Sequence, residues 1–162
     1  MKRLELVFPV TVITAFFAAL LLASTSTPAD TSGMPRVVDG DTLVISGERI
    51  RLHGIDSPET KQTCILDGRE WNCGQEATAA LVRRIGTNAV TCKGYTRDRY
   101  KRLIAVCFVG SDDLNAWMVS KGWALAYRRY SKDYIDEENV ARDNRKGIWR
   151  GKFMPPWEWR RR

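Results

Sequence analysis

Residues 37–60, VVDGDTLVISGERIRLHGIDSPET, decide how this chain is read, because three aspartates, a glutamate and an arginine stand at the turns and ends of alternating apolar runs. Val37 and Val38 lead into an Asp39-Gly40-Asp41 turn, and Thr42 to Ile45 leave it as a β-rich run. Ser46 and Gly47 make a second turn. Beyond it Ile50, Leu52 and Ile55 carry an apolar face while Arg51 and His53 point the other way. The run breaks at Asp56-Ser57-Pro58, where the proline restricts Ser57 to an extended backbone and leaves Asp56 and Glu59 on a short, stiff loop. Taken alone, Asp-Gly is an ordinary hairpin dipeptide. The whole string says more. Asp41 and Asp56, with the Ser57 carbonyl, are oxygen donors suited to a hard cation such as calcium. Arg51 keeps its proton and offers a planar fork that matches a phosphate, and Glu59 is left over as a base for water.

Working outward, the spacing predicts three strands over 35–55, a loop, a helix over 75–85 with Ala77, Ala80, Leu81 and Ile85 on one face and Gly86 as its stop, and strands over 88–95 and 102–109. Asp112 or Asp113 caps a second helix ending at Gly122, in which Leu114, Trp117 and Met118 read as core. Residues 133–146 read as a third, mostly polar helix with Ile135, Val140 and Ala141 inward. Three strands, a helix and two strands is the order of an OB-type five-stranded β-barrel, here α+β with three packed helices.

The string, together with Asp98-Arg99-Tyr100-Lys101-Arg102, resembles the staphylococcal-nuclease family of thermonucleases, and the resemblance runs from about Pro35 to Trp149. It implies the same barrel, Asp41, Asp56 and the Ser57 carbonyl as ligands of Ca2+, and Arg51, Glu59 and Arg102 as the catalytic groups. The family's Asp-x-Tyr-Gly motif precedes the second arginine, and Lys101 stands here in place of the glycine. Tyr100, Tyr127 and Tyr130 match, approximately, tyrosines that contact the nucleotide. The implied activity is calcium-dependent hydrolysis of DNA and RNA with little sequence preference, leaving a 3′-phosphate and a 5′-hydroxyl. Glu59 would be the general base, with the arginines stabilising charge on phosphorus.

The 162 residues, 44% of them apolar, suffice for one core and are too few for two ordinary domains. Lys2 and Arg3 precede an apolar stretch over 6–23, followed by small and polar residues, which is the pattern of a secretory leader. The expected division is a signal peptide over 1–29 cut between residues 23 and 29, a linker over 30–34, the nuclease-like domain over 35–150, and a Trp- and Arg-rich tail over 151–162. That tail is expected to dock its tryptophans on the domain while its terminal arginines stay in water or touch nucleic acid. The expected location is secreted or periplasmic, as a monomer with no stable membrane association once the leader is cut. A retained N-terminal anchor is the other reading of residues 6–23.

Four cysteines fit an exported protein. Cys64 and Cys73 bracket a loop directly after Glu59. Cys92 and Cys107 fall opposite each other if a hairpin turns about Arg99 and Tyr100. Both pairings are expected as disulfides, although four cysteines allow three connectivities. A zinc site is disfavoured, since there is no CxxC and His53 is the only histidine. The net charge of +7, about +6 without Lys2, Arg3 and Glu5, favours a polyanionic partner, and tyrosines alternating with arginines over 95–102 and 127–130 supply stacking faces beside phosphate donors. The rival function is a non-catalytic OB module that binds single strands or an envelope partner, and a third is an envelope structural protein. A degenerate module would be expected to lack the glutamate or an arginine, whereas Arg51, Glu59 and Arg102 are all present.

Overall fold

Alternation of apolar residues becomes alternation of burial. A computed structural model describes residues 29–162, so the leader expected over 1–29 falls almost wholly outside the described residues. Leu43 and Ile45 on one strand, Ile50 and Leu52 on the next, and Leu103, Ala105 and Cys107 on a third are all essentially inaccessible to water. Between them Val44, Arg51, Ile104 and Val106 are half-buried on the other face, as the period of two requires, while Thr42 at the head of its strand is buried too.

The strands are β1 (Ala29–Gly33), β2 (Arg36–Asp39), β3 (Thr42–Ile45), β4 (Glu48–Leu52), β5 (Ile55–Asp56), β6 (Cys64–Leu66), β7 (Arg69–Trp71), β8 (Val90–Arg97), β9 (Leu103–Val109), β10 (Asp112–Asp113) and β11 (Leu125–Ala126). The helices are α1 (Cys73–Ile85), α2 (Leu114–Ser120), α3 (Ile135–Asp143) and α4 (Pro156–Trp159), with a 3-10 turn at Gly147–Arg150 before the last. The main sheet runs β1-β8-β9-β4-β3-β2, with β10 added to β9; β4 and β9 pair in parallel and the other neighbours are antiparallel. The class is therefore α+β with a mixed sheet.

Four details differ from the sequence reading. Residues 30–34, expected as a linker, lie mostly in β1, an edge strand paired with β8 from Ala29 opposite Gly94 to Gly33 opposite Val90; short polar residues suit an exposed edge as well as they suit a linker. The ladder does not close: its two edges are β1 and β2, successive in the chain and separated by Met34 and Pro35, the second of which has no amide to donate. The third expected strand ends at Leu52, because Gly54 takes a left-handed φ of 70° and redirects Ile55 and Asp56 to pair with Ala126 and Leu125. Four α-helices are present among the described residues where three were expected.

α1 begins two residues earlier than expected and stops before Gly86. α2 is capped by Asp113, whose carboxylate accepts from the amides of Asn115 and Ala116 at 2.8 and 3.0 Å, which satisfies two amides that the helix itself leaves free. In α3 the inward face differs from the expected one: Ala141 is buried but Val140 is 47% exposed. Glu138 goes inward instead, accepting from the amide of Ala126 at 3.0 Å and pairing with Arg128. A buried carboxylate with two partners reads as polar in the sequence, so the pattern gave no sign of it.

Both disulfides, Cys64–Cys73 and Cys92–Cys107, are formed. Cys92 is opposite Cys107 in the β8–β9 register, and a bulge between Gly94 and Thr96 shifts the pairing nearer the turn. The principal core surrounds the inner faces of β3, β4, β8 and β9 with α1 and α2. A second cluster, Cys64, Cys73, Leu125 and Ile148, is covered by Trp71, Trp149, Phe153 and Trp157, and there the C-terminal segment lies against the domain. Among the described residues no helix is long and apolar enough to cross a membrane.

Candidate active site

The site is assembled from the first hairpin and the loop that follows β4. Thr42, the first residue of β3, lies opposite Arg51 on β4, so the turn before Thr42 delivers Asp41 beside the arginine. Gly40 permits this: a Cβ there would lie 2.0 Å from the Ser57 hydroxyl oxygen. On the other side Gly74, in the first turn of α1, would place a Cβ 1.7 Å from the Glu59 carbonyl oxygen. The Asp56–Glu59 loop is thus gripped between two backbones that approach closely only where side chains are missing.

Arg51 forms ion pairs with Asp41 and with Asp56, the second at 2.8 Å, and its Nη2 also donates to the Ile55 carbonyl at 3.1 Å. Asp41 accepts from the Ser57 amide at 2.8 Å, and the Ser57 hydroxyl donates to the Trp123 carbonyl at 2.9 Å, which leaves the Ser57 carbonyl as that residue's remaining oxygen. Burial resists ionisation of Asp41, but Arg51 and the Ser57 amide outweigh it and hold the carboxyl below its usual range. Asp56 has no exposed surface; burial pushes its carboxyl up, against the pull of Arg160 and Arg51. Burial and the neighbouring Asp41 raise the Asp39 carboxyl to about 6.

Arg102 follows the tight turn between β8 and β9. Its Nε donates to Asp98 at 2.7 Å, its amide donates to the same carboxylate at 3.0 Å, and its Nη1 reaches the Thr42 hydroxyl at 3.5 Å. The Thr42 hydroxyl in turn donates to Asp41 at 3.2 Å. Lys101 adopts a left-handed φ of 64°, a conformation natural to glycine and costly for other residues, which accounts for the glycine usual at this place in the motif. Two guanidinium groups lie over the Tyr100 ring, Arg99 at 4.8 Å and Arg102 at 5.6 Å from its centre, and Tyr100 is 59% exposed. The other two tyrosines are arranged differently. Tyr127 and Tyr130 meet edge to face with centres 4.9 Å apart, and Tyr127 is stacked on Trp157 at 5.5 Å and 4°, so one face of Tyr127 is already covered.

One site residue was not legible beforehand. Arg160, expected in water or on nucleic acid, donates to both oxygens of Asp56 at 3.0 and 2.8 Å and to Glu59 at 2.6 Å. A cation at the far end of the chain gives no local pattern that would link it to a carboxylate a hundred positions earlier. With it, a continuous chain of contacts runs Arg102, Thr42, Asp41, Arg51, Asp56, Arg160, Glu59. All the side chains read from the sequence as catalytic or as cation ligands lie on or beside that chain.

Does this arrangement suit a hard cation? Two buried carboxylates whose charge is balanced by guanidinium groups form a place suited to positive charge, and the Arg160 guanidinium already stands between Asp56 and Glu59 as an organic counterpart of an ion. Their oxygens are the donor type calcium takes. Among the described residues no group of three or more Asp, Glu, His or Cys side chains converges, so carbonyls and water would have to complete the shell. The residues fit calcium on those terms.

Residues 49–151 match the family model described as "Staphylococcal nuclease homologue". Among relatives, the chain is 36% identical over 143 residues to the "Succinoglycan biosynthesis protein ExoI" of Rhizobium meliloti (strain 1021), an alignment covering 85% of this chain and 75% of that one. It is 33% identical over 135 residues to an "Uncharacterized endonuclease" of Escherichia coli O157:H7, covering 78% and 82%. It is 34% identical over 116 residues to the "Staphylococcal-like nuclease CAN1" of Arabidopsis thaliana, covering 70% of this chain and 33% of the plant protein.

Proposed function

Since this chain belongs to the staphylococcal nuclease homologue family, we propose that it is a calcium-dependent nuclease that hydrolyses phosphodiester bonds of DNA and RNA with little sequence preference. One observation supports the reading most: the unbroken contact chain from Arg102 through Asp41, Arg51, Asp56 and Arg160 to Glu59, which gathers three guanidinium groups, a base and a pair of cation-ligand carboxylates from five separated stretches of sequence.

In the proposed reaction Asp41, Asp56 and the Ser57 carbonyl would hold calcium. A bound calcium would supply fixed positive charge at the phosphoryl oxygens. Glu59, whose side chain is 39% exposed, takes the proton of the attacking water. Arg51 and Arg102 are assigned to the phosphoryl oxygens, where charge-bearing donors stabilise the transition state more than the ground state. Tyr100, exposed beside Arg99 and Arg102, is assigned to the nucleotide. Stacking and backbone charge read no base edges, which gives the low specificity. By the resemblance the products carry a 3′-phosphate and a 5′-hydroxyl.

The proposal extends to architecture and location. The open ladder whose edge strands β1 and β2 follow each other in the chain supports an OB-type barrel in which one run of chain spans both edges. Two disulfides and the apolar N-terminal stretch support export to an oxidising compartment, as a monomer. The activity is tested by purified protein acting on single-stranded DNA with calcium, wild type against Glu59→Gln and Arg102→Ala. The expected losses are about 100- to 10,000-fold for the base and about 100- to 1,000-fold for the arginine. Wild-type rates in either variant would remove that residue from the mechanism.

A further inference from the structure

Resting on that reading of the site, we infer that Arg160 is a tethered competitor for the metal: its guanidinium and the cation occupy the same position by turns, so the C-terminal segment sets the calcium concentration at which the site loads. Each Asp56 oxygen accepts from an Arg160 nitrogen, at 3.0 and 2.8 Å, and Oδ1 also accepts from Arg51 at 2.8 Å. Calcium would need one of those oxygens at about 2.3–2.6 Å. Both Asp56 oxygens are already taken by guanidinium nitrogens, so a third cation on this carboxylate has to displace one of the two, and Arg160, 38% exposed against 14% for Arg51, is the freer. The same guanidinium also holds Glu59 at 2.6 Å, so the group assigned to activate water is engaged whenever Arg160 is home.

The segment bearing Arg160 is well anchored. Lys152 and Ile65 exchange backbone hydrogen bonds at 2.8 Å each. The buried Gln62 side chain donates to the Met154 carbonyl at 2.7 Å, Pro156 is buried, and Trp157 stacks on Tyr127. Beyond Trp157 the hold is lighter: α4 has only four residues, and the Arg160 side chain is 38% exposed. The anchor keeps the guanidinium at high local concentration, while the short last turn lets it leave. Mutual exclusion between two ligands of one site is reciprocal, and the apparent affinity for calcium falls in proportion to the fraction of molecules with the site free.

The test is calorimetric titration of calcium into the folded protein. Arg160→Gln is expected to bind calcium about 5- to 150-fold more tightly than wild type. Arg161→Gln, which removes the same charge next door without touching Asp56 or Glu59, is expected to stay within about twofold. Equal affinity in wild type and Arg160→Gln, or equal tightening in the two glutamine variants, would overturn the competition while leaving the metal site in place. Calcium binding to none of the three would instead sink the metal reading itself, and the competition with it. If Arg160→Gln does not fold, Arg160→Lys keeps the charge but loses the two-pronged contact with Asp56. It is expected to bind calcium more tightly than wild type, and affinity at or below wild type contradicts the inference.

Discussion

Asp41 and Asp56 are buried carboxylates whose shared partner is Arg51. That makes Arg51 a structural necessity as well as a candidate for the phosphate. Removing one member of a buried ion network leaves uncompensated charge, and the cost is about 3–5 kcal/mol. Arg51→Ala is therefore expected to lose stability on that scale in urea melts, where Glu59→Gln, at a half-exposed position, changes little; equal midpoints for the two would show that Arg51 does not bind the carboxylates together. The identities of these residues were readable in the sequence because the Asp-Gly turn, the alternating strand and the Ser-Pro break each have a local signature. What could not be read was that Arg160 would complete the set. No periodicity or turn chemistry connects a terminal arginine to a loop across the molecule, and the contact depends on anchors distant in sequence, among them Trp157 stacked on Tyr127 and Gln62 bonded to the Met154 carbonyl.

The turn joining β8 and β9 shows how an element aims a side chain. Asp98 accepts from the amides of Tyr100 and Arg102 and from the Arg102 side chain, so one carboxylate organises the turn and directs the guanidinium. Partial burial would raise the Asp98 carboxyl, but the Arg102 side chain and these amides outweigh it and hold it below its ordinary 3.8. A depressed carboxyl contributes stability that is fully present above the ordinary value and is lost as pH falls through the folded one. Asp98→Asn is accordingly expected to cost about 1.5 kcal/mol at neutral pH, and its deficit relative to wild type should shrink below about pH 4; a deficit independent of pH would contradict the assignment. Lys101 in the same turn has a left-handed φ, so Lys101→Gly should gain about 1 kcal/mol in thermal or urea unfolding, and a loss would mean that the lysine side chain contributes more than its backbone costs. The sequence allowed the cross-strand cysteine pair to be placed, since Cys92 and Cys107 are equally far from a turn about Arg99 and Tyr100. It did not reveal the bulge at Gly94–Thr96, because a single inserted residue leaves the apolar alternation on either side intact.

Over the whole molecule, the family resemblance and the strand pattern agree on an α+β domain with helices packed on a β-sheet, and the structure has that class with a mixed sheet. The differences lie at the edges: β1 where a linker was expected, an unclosed ladder, and a tail that both covers the second apolar cluster and inserts a cation into the site. Edges are where sequence pattern is weakest, since an outer strand has one partner and a tail has contacts only with residues far away in the chain. The tail gives the molecule two ways to neutralise the same carboxylates, one internal and one from solution. Whether the proposed calcium accompanies phosphodiester cleavage is read from degradation of plasmid and single-stranded DNA by the purified protein with calcium and then with excess chelator. Cleavage that requires calcium and stops on chelation is the predicted result; cleavage unchanged by the chelator, or none under either condition, would contradict the account.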